Sequence, residues 1–525
     1  MLRVTVLGTL VVLTAFGIAA ALGFGAGWWA LAGVAGALLV LAVWDVVQSE
    51  HSVLRNYPVV GHLRYLLEHV RPEVQQYFVE RNYDGRPFDR DTRTIVYQRS
   101  KGIRAEKAFG TERDVNVAGY EYLVHATVPV PPAAEPHQVR VGGPDCTRPY
   151  DMALLNISAM SFGALSANAI RAMNIGAREG GFAHDTGEGG LSRHHLEHGG
   201  DLLWEIGSGY FGARTADGDF DPAMFRDKSA HDSVKLVALK LSQGAKPGLG
   251  GVLPAAKVTA EIAAARAVPV GRTVVSPAYH RVFSTPRELV VFLARMRELA
   301  GGKPTGVKLC VGSRRDVLAI CKAMLAEGTA PDFVVVDGSE GGTGAAPLEY
   351  SDHVGTPLTE GLLTVHNALV GTGLRDRVRI GAAGKVATGS DIVKRIIQGA
   401  DYTNAARTMM MATGCIQSQR CHTNTCPVGV ATQDPRRERA LDVADKSERV
   451  RRYQQATVAE AQKLMASMGC RGPADLHPQM LQRRVNYTDT RSYAELFDWL
   501  EPGELLGSAP AGWAADWEQA DPDRF

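Results

Sequence analysis

Between Val4 and Trp44 the chain carries no Asp, Glu, Lys or Arg. One membrane-spanning helix takes about 20 apolar residues, so this run is long enough for two. The glycine-rich stretch GFGAG at 23–27 breaks it near the middle, and Trp28 and Trp29 follow, residues suited to a membrane–water interface. The pattern predicts a helical hairpin over about 4–22 and 28–47, a first domain at 1–47 in contact with membrane lipid. Arg3 precedes it, and Arg55, Arg64 and Arg71 follow it. Positive charge on both flanks puts both ends, and the bulk of the protein, in the cytoplasm, giving a membrane-anchored protein. A cleaved signal peptide is the alternative, since small residues cluster near 17–23, but the second apolar stretch directly behind argues against it. A buried hairpin of a soluble fold is a further alternative.

Residues 48–144 read as a connector or adaptor region, with Pro58, Pro72, Pro87 and PVPP at 129–132 among short apolar patches. From Met152 the pattern becomes an alternation of apolar β-branched runs with helical periods. ALLNISAM, KLVALK, GVKLCVG, DFVVVDG, VRIGAAG and ADYTNAA are strands; SANAIRAMNIGAREG, PRELVVFLARMRELA, RDVLAICKAMLAEG and DIVKRIIQG are helices. Such alternation predicts a parallel sheet covered on both faces. About eight units fit between 150 and 415, the span of a (β/α)8 TIM barrel. The expected fold is thus α/β, a barrel over 145–435 with the N-terminal hairpin and connector before it and a helical extension over 436–525 after it. A doubly wound open sheet competes, weakened because no strand leads into a GxGxxG turn.

Composition narrows the function. Lys+Arg number 57 against 56 Asp+Glu, a formal net charge of +1, which speaks against a protein that grips nucleic acid through a basic field. With 45% hydrophobic and 22% charged residues, most of the chain is not disordered. Seven cysteines, three of them within 415–426, suit a metal or redox site better than a secreted disulfide scaffold. Cys146, Cys310, Cys321 and Cys470 stand alone and read as small buried hydrophobes.

Nearly every polar or glycine cluster follows a strand: SAMSFGALS, SQGAKPGLGG, DGSEGGTGA, AAGKVATG and NAAR. In a barrel these collect at the C-terminal mouth, where active sites are built. GGTGA at 341–345 and GKVATG at 384–389 offer backbone N–H groups to an anion. A phosphate site after the last two strands falls around Gly384, Lys385 and 404–407. Gln243 and Lys246 share one loop and Arg266 follows it, groups that suit a dicarboxylate. Lys308 lies late in an apolar strand, where an ammonium is costly without an anionic partner. The cysteines Cys415, Cys421 and Cys426, spaced C-x5-C-x4-C and closed by Pro427, suit a soft metal or an iron–sulfur cluster. A zinc site needs a fourth ligand such as His422.

Taken together, SAMSFGALS, TGEGG, SGYFGAR, KLSQGAKPGLGG, DGSEGGTGA, GKVATGSD and the cysteine loop ending CPVGVATQDP resemble the FMN-binding synthase domain of glutamate synthase. The likeness runs in order over about 145–435, and the layout with its hairpin resembles the membrane-anchored, single-chain bacterial form of that family. The resemblance implies that Ala159, Met160 and Ser161 lie against the flavin and Lys308 beside its ring system. It implies that Gly342, Gly384, Lys385, Asn404 and Arg407 hold the FMN phosphate. Gln243, Lys246 and Arg266 match positions that hold 2-oxoglutarate, and Glu188 an acid facing the site. Cys415, Cys421 and Cys426 match the ligands of a 3Fe–4S cluster.

Two departures stand out. Where the family loop usually reads GAKPGEGGQ, this chain has Leu249 and Val252, so two polar contacts to the substrate are expected to be missing. A glutaminase domain, whose nucleophilic Cys would follow the initiator Met, is not expected, because Leu2 stands there. The reading is therefore an oxidoreductase acting on CH–NH2 donors, an EC 1.4 activity that reduces the imine of 2-oxoglutarate or a related 2-oxo acid. Ammonia comes from outside, and electrons come from an external donor (ferredoxin, a reductase subunit or a quinone-linked protein). Transfer of a substituted amine, as in N-methylglutamate synthase, and a membrane-docked electron relay are the alternatives.

Overall fold

The computed structural model describes residues 2–525 and divides into two compact units, 1–90 and 91–525. In the first, helix α1 (Leu2–Phe24) and helix α2 (Trp28–Val47) form the expected hairpin. Small residues let the two backbones approach. A Cβ on Gly17 would come within 2.7 Å of the Ala32 nitrogen, and Ala20, Ala35 and Ala42 are buried in the same seam. Phe16 meets Trp28 edge-on, centroids 5.7 Å apart. Both helices have a mean hydropathy of 2.2, yet only 17% and 22% of their central windows are buried. Their outer faces are apolar and uncovered. Helix α3 (His62–Val74) follows in the same unit.

The second unit is built on a closed eight-stranded parallel barrel. Its strands are β1 (Leu155–Ile157), β2 (His184–Asp185), β3 (Leu202–Ile206), β4 (Val234–Lys240), β5 (Thr305–Leu309), β6 (Phe333–Asp337), β7 (Arg379–Ala383) and β8 (Tyr402–Ala405). β8 closes on β1 through Thr403–Leu155, Asn404–Asn156 and Ala405–Ile157. Six of these strands are visible as apolar runs. β2 is too short to leave a period. β3, LLWEI, sits between two glycine-rich loops whose motifs mask it.

Helices pack outside the barrel: α4 (Ala167–Gly180), α5 (Ala260–Arg266), α6 (Pro286–Leu299), α7 (Arg314–Glu327), α8 (Leu358–Gly371), α9 (Gly389–Ile397) and α10 (Arg407–Ala412). Ser166, Thr259, Thr285, Ser313 and Thr388 cap five of them by accepting backbone N–H groups. Between helices and barrel lies the main apolar core, with Trp204, Leu239, Met296, Leu318 and Leu362 fully buried. The antiparallel pair Gln138–Val141 and Tyr150–Ala153 carries Val141 and Met152 into the barrel's inner core cluster. The long helix α11 (Val443–Ser467) packs against α4 and α9. Cys310, Cys321 and Cys470 are buried as expected, whereas Cys146 is only half-buried.

Candidate functional site

Side chains two positions apart on a strand point the same way, so each barrel strand sends alternate residues inward. Leu203, Leu236, Ala238, Phe333, Val335, Ala383 and Tyr402 make an apolar plug. Gly306 belongs to this layer, because a Cβ there would run into the Phe333 ring. One inward step further along, toward the strand C-termini, the residues become charged: Asp185, Glu205, Lys240, Lys308 and Asp337, all buried. This switch from hydrocarbon to charge marks the floor of the mouth.

The charges are specifically paired. Lys308 Nζ lies 3.0 Å from Glu205 Oε2, a contact between nearly inaccessible side chains. Lys240 Nζ lies 3.0 Å from Glu188 Oε1 and donates to Gln243 Oε1 at 2.6 Å. Gly244 N–H donates to Asp337 Oδ2 at 2.9 Å, and Gly187 N–H to Asp185 Oδ1 at 2.9 Å. Burial opposes the charge on Lys308, but Glu205, Asp337 and Asp185 outweigh it and hold the ammonium protonated. Burial, reinforced by the Glu205 charge, raises Asp185 well above the ordinary carboxyl range, with Lys308 pulling the other way. Burial also raises Asp337, with Lys308 pulling the other way. Glu188 goes down instead: burial resists, and Lys240, Lys246 and Arg266 together overcome it.

Above this floor is a small polar cavity lined by Glu188, Ser208, Lys240, Gln243, Leu249 and Gly251, among others. Gly244 locks the cavity loop in place, since any Cβ there would collide with the Gly338 carbonyl at the end of β6. Arg266, the last residue of α5, is buried with its guanidinium 5.0 Å from the Phe211 ring centroid. Its Nη2 reaches the Phe162 carbonyl at 3.4 Å and Ser161 Oγ at 3.5 Å, while its Nε has no partner. Among the described residues no carboxylate pairs with Arg266, and none pairs with the half-buried Lys246. Burial lowers the pKa of both, with Glu188 acting in the opposite sense. Two desolvated cations short of anions beside a small polar cavity fit a substrate that carries carboxylates.

The residues expected at a flavin gather on neighbouring turns. Ala159, Met160 and Ser161 follow β1, where the loop after β2 presses on them: a Cβ on Gly187 would come within 2.8 Å of the Ser161 nitrogen. Gly342 lies against Arg407, with a notional Cβ 2.7 Å from its Cδ, and Arg407 Nη2 donates to the Glu340 carbonyl at 2.6 Å. Gly384 and Lys385 turn the chain after β7 with φ of +149° and +52°. Gly338 N–H bonds to the Ala383 carbonyl, tying the turns after β6 and β7 together, and Asn404 is buried in β8. The chemistry of the set, glycine turns with one buried-side guanidinium and one lysine, fits a phosphate-bearing group.

Cys415, Cys421 and Cys426 occupy a wound loop in which Gln417, Gln419 and Asn424 all have positive φ. Burial pushes the Cys415 thiol up to about 12, and the neighbouring Cys421 and Cys426 push the same way. Among the described residues no three His, Cys, Asp or Glu side chains lie close enough to share one ion. Lys257 is the informative neighbour. It is buried, donates from Nζ to the Cys421 carbonyl at 3.0 Å, and makes no ion pair to a carboxylate among the described residues. Burial lowers its pKa, with Cys421 and Cys426 acting in the opposite sense. A buried ammonium beside two of these thiols fits an anionic cluster.

Sequence reading alone passed over Asp185, Glu205, Lys240, Asp337 and Lys257. A signal existed for three of them: a charge within or ending an apolar strand, the same mark that singled out Lys308. The two loop departures separate as well. Leu249 lines the cavity, but Val252 is 55% exposed on a short two-stranded pair, opposite Val275.

Residues 148–471 match the family model described as the conserved region in glutamate synthase. The chain is 38% identical over 460 residues to the glutamate synthase large subunit-like protein YerD of Bacillus subtilis (strain 168), covering 79% of this chain and 87% of that one. It is 34% identical over 314 residues to the archaeal glutamate synthase [NADPH] of Archaeoglobus fulgidus, covering 59% of this chain and 58% of that one. Against the glutamate synthase [NADPH] large chain of Bacillus subtilis (strain 168) the match is 33% over 320 residues, only 20% of that protein.

Proposed function

The chain belongs to the family defined by the conserved region of glutamate synthase, and from that premise we propose that it is an FMN- and iron–sulfur-dependent oxidoreductase of glutamate synthase type. Its substrate is 2-oxoglutarate or a related 2-oxo acid, with ammonia as nitrogen source. The observation that carries this is the pair of desolvated cations, Lys246 and Arg266, beside the cavity that Glu188, Lys240 and Gln243 line.

Residues 145–435 form the catalytic domain. Ala159, Met160, Ser161 and Lys308 would hold the flavin, with Gly342, Gly384, Lys385, Asn404 and Arg407 at its phosphate. When bound, FMN supplies the hydride equivalent that the reaction needs. Ammonia adds to the carbonyl carbon, water leaves, and the resulting C=N bond takes one hydride and one proton to give the amino acid. Arg266 and Lys246 clamp the carboxylates and so orient the reacting carbon. Glu188, held ionised, accepts a proton at its carboxylate from an incoming ammonium. Lys240, bonded to both Glu188 and Gln243, keeps those two side chains aimed at the cavity. Lys308, held protonated by Glu205, would supply a fixed positive charge beside the flavin it helps to hold. Cys415, Cys421 and Cys426 would hold a 3Fe–4S cluster fed by an external donor. The hairpin at 1–47 anchors the protein in a membrane, with the barrel cytoplasmic.

The test is anaerobic. Protein reduced with dithionite is mixed with 2-oxoglutarate and ammonia, and flavin reoxidation is followed by absorbance. Reoxidation dependent on both substrates supports the proposal; none points to an electron relay. A second reading, a substituted amine as nitrogen donor, is favoured by Leu249, which turns a wall of the cavity apolar. Faster reoxidation with methylamine than with ammonia selects it.

A further inference from the structure

The first unit has an apolar surface that the hairpin does not account for. In α3, Leu63, Leu66, Leu67, Val70 and Val74 follow the i, i+3, i+4, i+7, i+11 spacing, a stripe about 100° wide at 100° per residue. A helix with such a stripe normally buries it, yet no residue of α3 is buried. Leu63, Leu66 and Leu67 are each more than half exposed. The turn that follows continues the pattern, with Phe78 84% exposed. Away from the stripe the helix is polar, with Arg64 paired to Glu68 at 2.9 Å.

What fixes the level of this helix is Asp45, on the last turn of α2. Its carboxylate is fully buried, accepts the Val59 N–H at 2.8 Å and lies 2.8 Å from His62 Nε2. His62 is the first residue of α3. The amphipathic helix is therefore tied at its start to the point where the apolar run of α2 ends. Trp44, one residue before Asp45, is 68% exposed at that same level, as interfacial tryptophans are.

We propose that α3 and the turn after it form an interfacial helix, lying along the bilayer surface with the leucine stripe at the boundary between acyl chains and headgroups. Its partner is the lipid surface itself. This rests on the membrane reading of the hairpin, and the stripe is continuous with it through Asp45 and His62. Paired charges on the outer face leave little excess of either sign, so the contact is apolar and does not depend on anionic lipid.

The test uses the full chain in phosphatidylcholine nanodiscs carrying labelled lipid. A photoreactive benzoylphenylalanine replaces Leu66, Phe78, Glu68 or Val12 in separate preparations. Lipid adducts at 66 and 78 about tenfold above those at 68 are expected for a helix lying with one face in the bilayer. An adduct at 12 without adducts at 66 and 78 overturns the interfacial helix while leaving the hairpin in the membrane. Protein–protein adducts at 66 in place of lipid assign the stripe to a second copy of the chain and also overturn it. Absence of lipid adduct at 12 refutes the hairpin reading, and the proposal with it.

Discussion

Replacing Glu205 with Gln removes one half of a buried ion pair and leaves the other. Lys308 and Glu205 stand 3.0 Å apart, both side chains almost inaccessible. At an effective dielectric of about 20, two unit charges at that distance attract by ~5 kcal/mol. Removing one partner of a buried pair costs about 3–5 kcal/mol, because the remaining charge stays desolvated. Asp337 and Asp185 also favour the Lys308 ammonium, so the loss should fall at the lower end, about 3 kcal/mol. Lys308→Met, which strands Glu205 instead, should cost a similar amount. The double variant should be less destabilised than the sum of the singles, with a coupling of about 2–3 kcal/mol. Urea unfolding followed by tryptophan fluorescence reads this, since Trp204 is fully buried next to Glu205 and stacks on Phe225 at 5.3 Å. Additive single effects, with coupling below about 0.5 kcal/mol, would refute the pairing argument.

Four more outcomes are expected. Asp185→Asn should stabilise the protein increasingly as pH rises: the natural carboxyl keeps its proton in the fold while the unfolded chain releases it above about 4, so native stability drains away with pH. Urea midpoints at pH 5 and pH 8 measure this, and an equal gap at both values contradicts it. Lys246→Ala or Arg266→Lys should lower kcat/KM for the 2-oxo acid by about 10–100-fold while flavin content is unchanged, the worth of a charge-assisted contact of ~1.5–3 kcal/mol. Because burial lowers the Lys246 pKa, KM in the natural enzyme should rise on an alkaline limb below the ordinary lysine value of 10.5, and Lys246→Arg should move that limb upward. Lys257→Met should shift the cluster potential negative in an EPR-monitored titration, and Lys257→Arg should restore it, because a nearby cation favours the reduced, more anionic cluster.

Local and periodic features were legible from sequence. The charge-free run of 41 residues specifies two apolar helices, because the length of such a run and the absence of Asp, Glu, Lys and Arg need no partner to be read. Strand–helix alternation specifies the barrel in the same way, and the glycine turns after strands locate its mouth. The Lys308 ammonium betrayed itself by standing in an apolar strand. Its partner Glu205 and the neighbour Asp337 carried the same mark, but Asp185, in a strand of two residues, did not, and none showed its mate until the barrel closed.

Only the tertiary structure decided which charges meet. Glu205 and Lys308 are 103 positions apart, and Lys257 and Cys421 are 164 apart, so no window of sequence contains either pair. Closure of eight strands aligns every second residue on one inner wall, and that geometry turns scattered acids and lysines into a single layer. It also separates Leu249, which faces the cavity, from Val252 three residues on, which faces out. Sequence determines where the chain can bend and what each segment prefers to bury; the electrostatic partners of a buried charge are set by ring closure, a property no segment possesses alone.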